Sequence, residues 1–429
     1  MPLLKAFATI GSITMISRIA GFIRDILTAA MLGAGPIADA FFVALKLPNF
    51  FRRVSAEGAF TVAFVPVYSE TLAREGADEA RHFARQTMGM MLFILGGFTL
   101  LAWLFMPQVI MLIAPGFDRS GAAYHQAVDF ARITLPYLFF MSLGALLGGL
   151  LNTHGRYAPF AAAPILFNLS LIGALLLLTP VLPNAGAALS WGVAGAGIVQ
   201  LLFLGWQARR NNIPIWPELP ALTHRIKKVF TLMGPGVIGA GVIHINLFAD
   251  IIIASFLERG SIAWLYYADR LYQLPLGIVG IALGTALLPM LSRAVNENDM
   301  EKSGGLFNQA ALYGLLFSLP AAFGFAAIAE LIISVLFERG AFTAFDTEQA
   351  ALALRAYALG IPAYVMVKVL STASFARQDT LTPVKISVLA TLVNIGLSLA
   401  LIRSLGHGGI ALATGLAAWL HVGSLYLRI

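Results

Sequence analysis

The stretch Arg24–Phe42, RDILTAAMLGAGPIADAFF, returns in altered form at Ala249–Tyr267, ADIIIASFLERGSIAWLYY. At a constant offset of 225, Asp25, Ile26, Ala29, Leu32, Gly35, Ile37 and Ala38 meet identical residues, and Phe41-Phe42 meets Tyr266-Tyr267. Two unrelated apolar segments share Ile and Ala by chance; they do not usually share an aspartate inside an apolar run together with a loop glycine in register. Farther along, Pro136 meets Pro362 and Asn168 meets Asn394 at an offset of 226. The chain is an internal duplication, and its period sets the architecture.

The duplicated material is membrane material. Of 429 residues, 59% are hydrophobic and 11% charged, with a mean hydropathy of +0.83, whereas a soluble domain carries roughly 25% charged residues. So few charges cannot cover a soluble fold of this length, which excludes a cytosolic enzyme and a disordered chain. Runs such as Ile165–Leu178 and Gly192–Leu204 are apolar on every face, unlike barrel strands, which alternate. Cysteine is absent, which excludes disulfides and thiolate chemistry. The N-terminal stretch holds Thr9, Ser12, Thr14 and Ser17 and runs into Arg18 with no small-residue cleavage site, so it reads as a first span rather than a signal peptide.

A span needs about 20 apolar residues, and the pattern gives spans at 5–33, 37–67, 86–113, 128–152, 157–180, 186–207, 229–256, 262–292, 306–337, 349–375, 381–403 and 408–428. With the N-terminus inside, the inner breaks hold fifteen lysines and arginines, among them Lys5, Arg74, Arg209, Arg210 and Arg428, and the outer breaks only Arg119, Arg259, Arg339 and Arg403. That bias follows the positive-inside rule and explains the net charge of +7 without nucleic acid. Six spans per repeat is an even number, so both halves enter the membrane from the same side as a parallel repeat. The expected fold is all-α: twelve transmembrane helices in two six-helix lobes, 1–212 and 213–429, around a central cationic cavity. The break near 208–228, with Pro214, Pro217 and Pro220, separates the lobes.

Ionisable residues inside the spans cost about 2.5–3.5 kcal/mol each at mid-bilayer, so they face partners or water. They include Arg18, Arg24, Asp25, Asp39, Lys46, Arg52, Arg53 and Glu57 in the first repeat, and Asp250, Asp269, Arg270, Arg355 and Lys368 in the second. Arg18 and Asp25 are seven apart and share a helix face, while Asn49, Arg53 and Glu57 step by four, which allows an Arg53–Glu57 pair. The first-repeat cluster has more cations than acids. Its surplus guanidinium groups, with Arg270, suit an anion of several charges, a diphosphate above all, because their planar donors match phosphate oxygens in pairs. No Walker loop, nucleophile elbow or HExxH motif is present, so ATP-driven pumping by the chain itself is not expected.

The segments Arg18–Asp25 (RIAGFIRD), Ala38–Phe42 (ADAFF), Leu47–Arg53 (LPNFFRR), Ala56–Phe60 (AEGAF), Ala63–Tyr68 (AFVPVY) and Tyr267–Pro275 (YADRLYQLP) resemble the MurJ (MviN) lipid II flippase family. The resemblance covers essentially the whole chain. It implies a monomeric transporter of the bacterial cytoplasmic membrane, of the multidrug/oligosaccharidyl-lipid/polysaccharide superfamily, with a cytoplasmic N-terminus. It implies lipid II as substrate, membrane lipids as surroundings and other cell-wall synthesis proteins as partners. On the family pattern, Arg18, Arg24, Arg52, Arg270 and Asp39 bind the substrate, with Asp25, Asn49, Arg53, Glu57 and Asp269 in support. A sodium site of some members falls on Asp250, Asn394, Ser398, Ile410 and Thr414, but Ser398 stands where that site has an aspartate, which weakens a hard-cation site. The family has fourteen spans, and twelve are read here. Rival readings are a drug or polysaccharide-lipid exporter of the same superfamily, whose drug-exporting members need an acidic or aromatic cavity, and a membrane enzyme acting on polyprenyl phosphates, which needs catalytic acids beside the membrane such as Glu70, Glu75, Asp78 or Glu79.

Overall fold

A computed structural model describes the backbone of residues 2–51, 60–213 and 216–428; side chains are described there except for 2–8, 51, 235–245, 247, 281 and 285. Among the described residues all regular structure is helical. The helices are α1 (Pro2–Leu32), α2 (Pro36–Phe51), α3 (Phe60–Glu75), α4 (Ala77–Leu104), α5 (Met106–Ile113), α6 (Ala122–Thr134), α7 (Pro136–Thr153), α8 (Ala158–Leu178), α9 (Ala185–Arg210), α10 (His224–Ala254), α11 (Ser261–Pro275), α12 (Ile281–Asn296), α13 (Met300–Phe337), α14 (Ala344–Ala358), α15 (Ile361–Ala376) and α16 (Leu381–Tyr426). A π-helical turn, Leu276–Gly280, joins α11 to α12.

The repeat seen in sequence is a repeat of helix breaks. Pro136 has no N–H to give to the preceding turn, and its ring crowds the carbonyl four residues back. The chain therefore ends α6 at Thr134 and restarts α7 with the proline in its first turn, where it is tolerated. The partner residue Pro362 does the same between α14 and α15. The break at Phe105 between α4 and α5 has its counterpart inside α13, where Ile328 leaves helical geometry (φ −123°, ψ 28°). The loop between α8 and α9 is answered within α16 by Gly406, at φ 54° and ψ −137°. A straight helix of 46 residues would be about 69 Å long, more than twice the hydrocarbon thickness. The left-handed φ at Gly406, which only glycine adopts freely, turns α16 into two limbs.

Eight helical segments among the described residues are long and apolar enough to cross a membrane, α16 being one of them. Helices α1 and α10, of 31 residues each, and the α2–α3 pair on either side of residues 52–59 lie outside that count. Large apolar side chains such as Phe93, Leu112, Leu177 and Phe323 stand exposed on helix faces. That is the favourable place for them where the solvent is lipid.

The chain divides into two compact units, the first comprising 1–32, 37–113 and 117–244, and the second 33–36, 114–116 and 245–429, so the division falls inside α10. The first unit is cored by stacked rings: Phe64 lies 5.3 Å from Phe60, 5.7 Å from Tyr68 and 5.5 Å from Phe83. This stack pins α3 to α4, and Leu146 and Leu150 of α7 with Leu204 of α9 close the cluster. In the second unit Tyr272 stacks on Tyr357 at 4.7 Å, and Leu287, Leu291, Val369 and Ala373 pack together. Buried Trp264 donates to Asp346 Oδ1 at 2.9 Å, and Asp346 with Thr343 forms the capping box that starts α14.

Candidate functional site

In the first unit the chemistry gathers on α1. Arg24 forms an ion pair with the adjacent Asp25, Nη2 to Oδ1 at 2.7 Å, supported by Nε to the same oxygen at 3.2 Å. Its Nη1 donates to Asn168 Oδ1 of α8 at 2.8 Å, and its guanidinium lies 6.0 Å from the Phe167 ring. Asn168 in turn donates from Nδ2 to the Ser17 carbonyl at 3.0 Å. The spacing of seven had put Arg18 and Asp25 on one face, but Asp25 pairs with its neighbour Arg24. The Arg24 guanidinium meets the carboxylate of the next residue, and Arg18 is exposed with no acidic partner among the described residues. One acid therefore offsets one of the arginines and leaves the cationic surplus of α1 in place. Asn168 was visible in the sequence only as a repeat position, since its partner is 144 residues away.

Asp39 is buried in the first turn of α2, where the helix dipole favours an anion. Asn49 lies half-buried near the end of the same helix, one residue after Pro48. Arg52, Arg53 and Glu57 fall outside the described residues.

The second unit holds Arg270, half-buried on α11, its guanidinium 4.5 Å from the ring of Tyr266 one turn earlier. Beside it, Asp269 accepts a hydrogen bond from Gln273. Four of the positions matched to a sodium site are hydrogen-bonded in two pairs, each within one limb of α16. Asn394 donates to Asn246 Oδ1 at 2.8 Å and accepts from Ser398 Oγ at 3.2 Å, and the Ile410 carbonyl accepts from Thr414 Oγ1 at 2.9 Å. Asp250, one turn after Asn246, brings the set's single carboxylate. A hard cation needs several oxygens aimed at one point; here two of the expected ligand oxygens receive hydroxyl protons, and a serine replaces an acid. No group of three or more His, Asp or Glu that could hold a metal occurs among the described residues. The set does not fit a preformed sodium cage. Asn394 is instead the counterpart of Asn168: each is a buried asparagine of one repeat, hydrogen-bonded to the first long helix of its own unit.

The acids near the membrane edge have structural partners. Lys228 Nζ lies 2.7 Å from Glu70 and Arg225 Nη1 3.2 Å from Glu79, and Arg225 also pairs with Glu75. The hydrogen bond and charge of Lys228 hold the Glu70 carboxyl below its usual range. Glu218, in the segment before α10, meets His82 Nδ1 at 2.8 Å and Arg85 Nε at 3.2 Å. Arg74 also pairs with Glu70 and Arg81 with Asp78 on their own helices, both at 3.1 Å, while Arg225 and Lys228 come from 146 to 158 residues away.

The solved structures that match give the class. A structure titled "Lipid II flippase MurJ, inward closed conformation" superposes with a TM-score of 0.85 at 28% identity, covering 98% of this chain and 87% of the other. An inward-facing multidrug resistance MATE family transporter of the MOP superfamily superposes at 0.79 and 14% identity, over 98% and 96% of the two chains, and so shares the fold. The eight apolar helices and the shared fold define a multi-pass membrane protein with a transporter fold. The family described as "Lipid II flippase MurJ" matches residues 28–429, and the chain belongs to that family. Curated relatives named "Probable lipid II flippase MurJ" include one from Rhizobium meliloti (strain 1021), 42% identical over all of this chain and 81% of its own length. Another, from Rickettsia prowazekii (strain Madrid E), is 37% identical over 99% of this chain and 83% of its own. Of the three readings open at the sequence level, the family assignment selects the flippase.

Proposed function

We propose that this chain carries lipid II, the polyprenyl-diphosphate-linked peptidoglycan precursor, from the inner to the outer leaflet of the bacterial cytoplasmic membrane. It does so with twelve membrane crossings in two lobes and a cytoplasmic N-terminus. The observation that carries the reading is the anchoring of Arg24: a guanidinium inside an apolar span, held by Asp25 at 2.7 Å and Asn168 at 2.8 Å, with exposed Arg18 six residues earlier. Fixed guanidinium groups that outnumber their acids bind phosphate oxygens without reorganising when the substrate arrives. Arg18, Arg24 and Arg52 of the first lobe and Arg270 of the second, the last steadied by Tyr266, hold the diphosphate, and Asp39 sets the local charge. The polyprenyl tail stays in the bilayer while the lobes alternate access to the headgroup.

Alanine at Arg18, Arg24, Arg52 or Arg270 is expected to abolish growth rescue of a strain depleted of its own flippase, with the variant still present in the membrane at normal amount. Full rescue by all four variants would overturn the reading.

A further inference from the structure

The segment between α9 and α10 has two faces of opposite character. One is docked. Glu218 is ion-paired to His82 and Arg85, its backbone N–H donates to the Arg85 carbonyl at 3.2 Å, and Arg85 Nε donates to the Trp216 carbonyl at 3.1 Å. The other face is apolar and open: Leu219 is 88% exposed, Trp216 63% and Leu222 59%. These exposed apolar residues cluster within Trp216–Leu222, around the docked Glu218.

The cations beside this face differ from those that hold the strap and the start of α10 to α3 and α4. Arg85, Arg225 and Lys228 are each matched to a carboxylate. Arg209 and Arg210 are not: Arg209 lies over the Trp216 ring at 5.0 Å and Arg210 over the Trp206 ring at 5.6 Å, and neither has an ion-pair partner among the described residues. Each guanidinium is thus held beside an indole with no carboxylate to neutralise it among the described residues. A guanidinium edge matches phosphate oxygens in pairs, and tryptophan prefers the level of lipid headgroups, where one part of the ring is apolar and another wet. A soluble phosphate would satisfy the arginines and leave Trp216, Leu219 and Leu222 in water. A leaflet containing anionic lipid satisfies both.

We propose that residues 206–213 and 216–222 form an interfacial strap that binds anionic phospholipid, with Leu219, Leu222 and Trp216 seated among the acyl chains and Arg209 and Arg210 on the lipid phosphates. The strap thereby ties the start of α10 to the membrane surface. This rests on segment 208–228 lying at the membrane edge, and it holds whichever lipid-linked substrate is carried.

The chain has no cysteine, so single spin labels report cleanly. Labels at Leu219→Cys and Leu222→Cys, in the full-length protein in vesicles of phosphatidylglycerol and phosphatidylcholine, should be more accessible to oxygen than to a water-soluble nickel chelate. A label at Asp78→Cys, a fully exposed site, should show the reverse. In pure phosphatidylcholine, or with Arg209→Gln and Arg210→Gln together, the oxygen-to-nickel ratio at Leu219 should fall at least about twofold. Leu219 as nickel-accessible as Asp78 overturns the seating; a ratio indifferent to lipid charge and to both arginine substitutions overturns the phosphate contact. Both readouts are independent of flipping, so a failed flippase reading leaves them interpretable.

Discussion

Asn168 is the residue that holds the Arg24 charge of α1 in place. It accepts from Arg24 Nη1 and donates to the Ser17 carbonyl, so one side chain fixes the guanidinium and ties α8 to α1. In the second unit the equivalent Asn394 meets Asn246, which stands at the repeat position of Gly21. The duplicated framework was thus kept while the group it holds changed: in the first repeat the glycine leaves the asparagine to an arginine, and in the second an asparagine takes that place. A hydrogen bond to a charged group is worth about 1.5–3 kcal/mol, and Asn168→Ala removes it without removing the charge. Flipping by Asn168→Ala is expected to fall toward the level of Arg24→Ala, and Asn168→Gln to retain part of it, measured as growth rescue with membrane abundance matched. Wild-type rescue by Asn168→Ala would show that Arg24 needs no second anchor. The arginines were legible in the sequence because a charge in an apolar run costs energy and must have a reason. Their partners were not, because helix spacing reports only neighbours three to seven residues away, whereas the anchor comes from another helix.

At the scale of elements, breaks were easier to read than contacts. Pro136 and Pro362 ended helices for the reason proline always does, and their shared offset made the break part of the repeat. The strap before α10 looked like a polar linker, since its prolines and charges say only that it is not a span. Its docking depends on Gly89 of α4: a Cβ there would stand 1.8 Å from the Glu218 carbonyl oxygen, a backbone atom that cannot swing aside. Gly89→Ala must therefore lift the strap, breaking the Glu218 contacts with His82 and Arg85. Overpacking of this kind costs about 1–3 kcal/mol. The expected result is a lower thermal midpoint together with faster tryptic cleavage at Arg209 and Arg210, while Gly97→Ala, on the same helix with open space around it, changes neither. Unaltered cleavage in Gly89→Ala would mean that the strap is not held down by that contact.

For the whole molecule, composition and charge placement made the class legible, while the linker composition that set the expected lobe boundary at 212/213 does not mark the division between the two compact units, which falls inside α10. Hydropathy does not count crossings, because a continuous apolar helix and two spans joined by a tight turn have the same hydropathy. Leu381–Tyr426 is the deciding case. Its hydropathy is high throughout, and the turn is one residue, Gly406, whose left-handed φ a sequence pattern does not display. If α16 makes two crossings, Arg403 lies on the side opposite to both Arg377 and Arg428; if it makes one, Arg377 and Arg428 are on opposite sides. The absence of native cysteine makes this a clean measurement with a membrane-impermeant maleimide on intact inner-membrane-exposed spheroplasts. Arg403→Cys and Arg259→Cys are expected to react from outside. Arg377→Cys, Arg428→Cys and Arg209→Cys should react only after the membrane is opened. Reaction of Arg428→Cys from outside would reduce α16 to a single crossing, place the two ends of the chain on opposite sides and break the even count on which the parallel repeat depends.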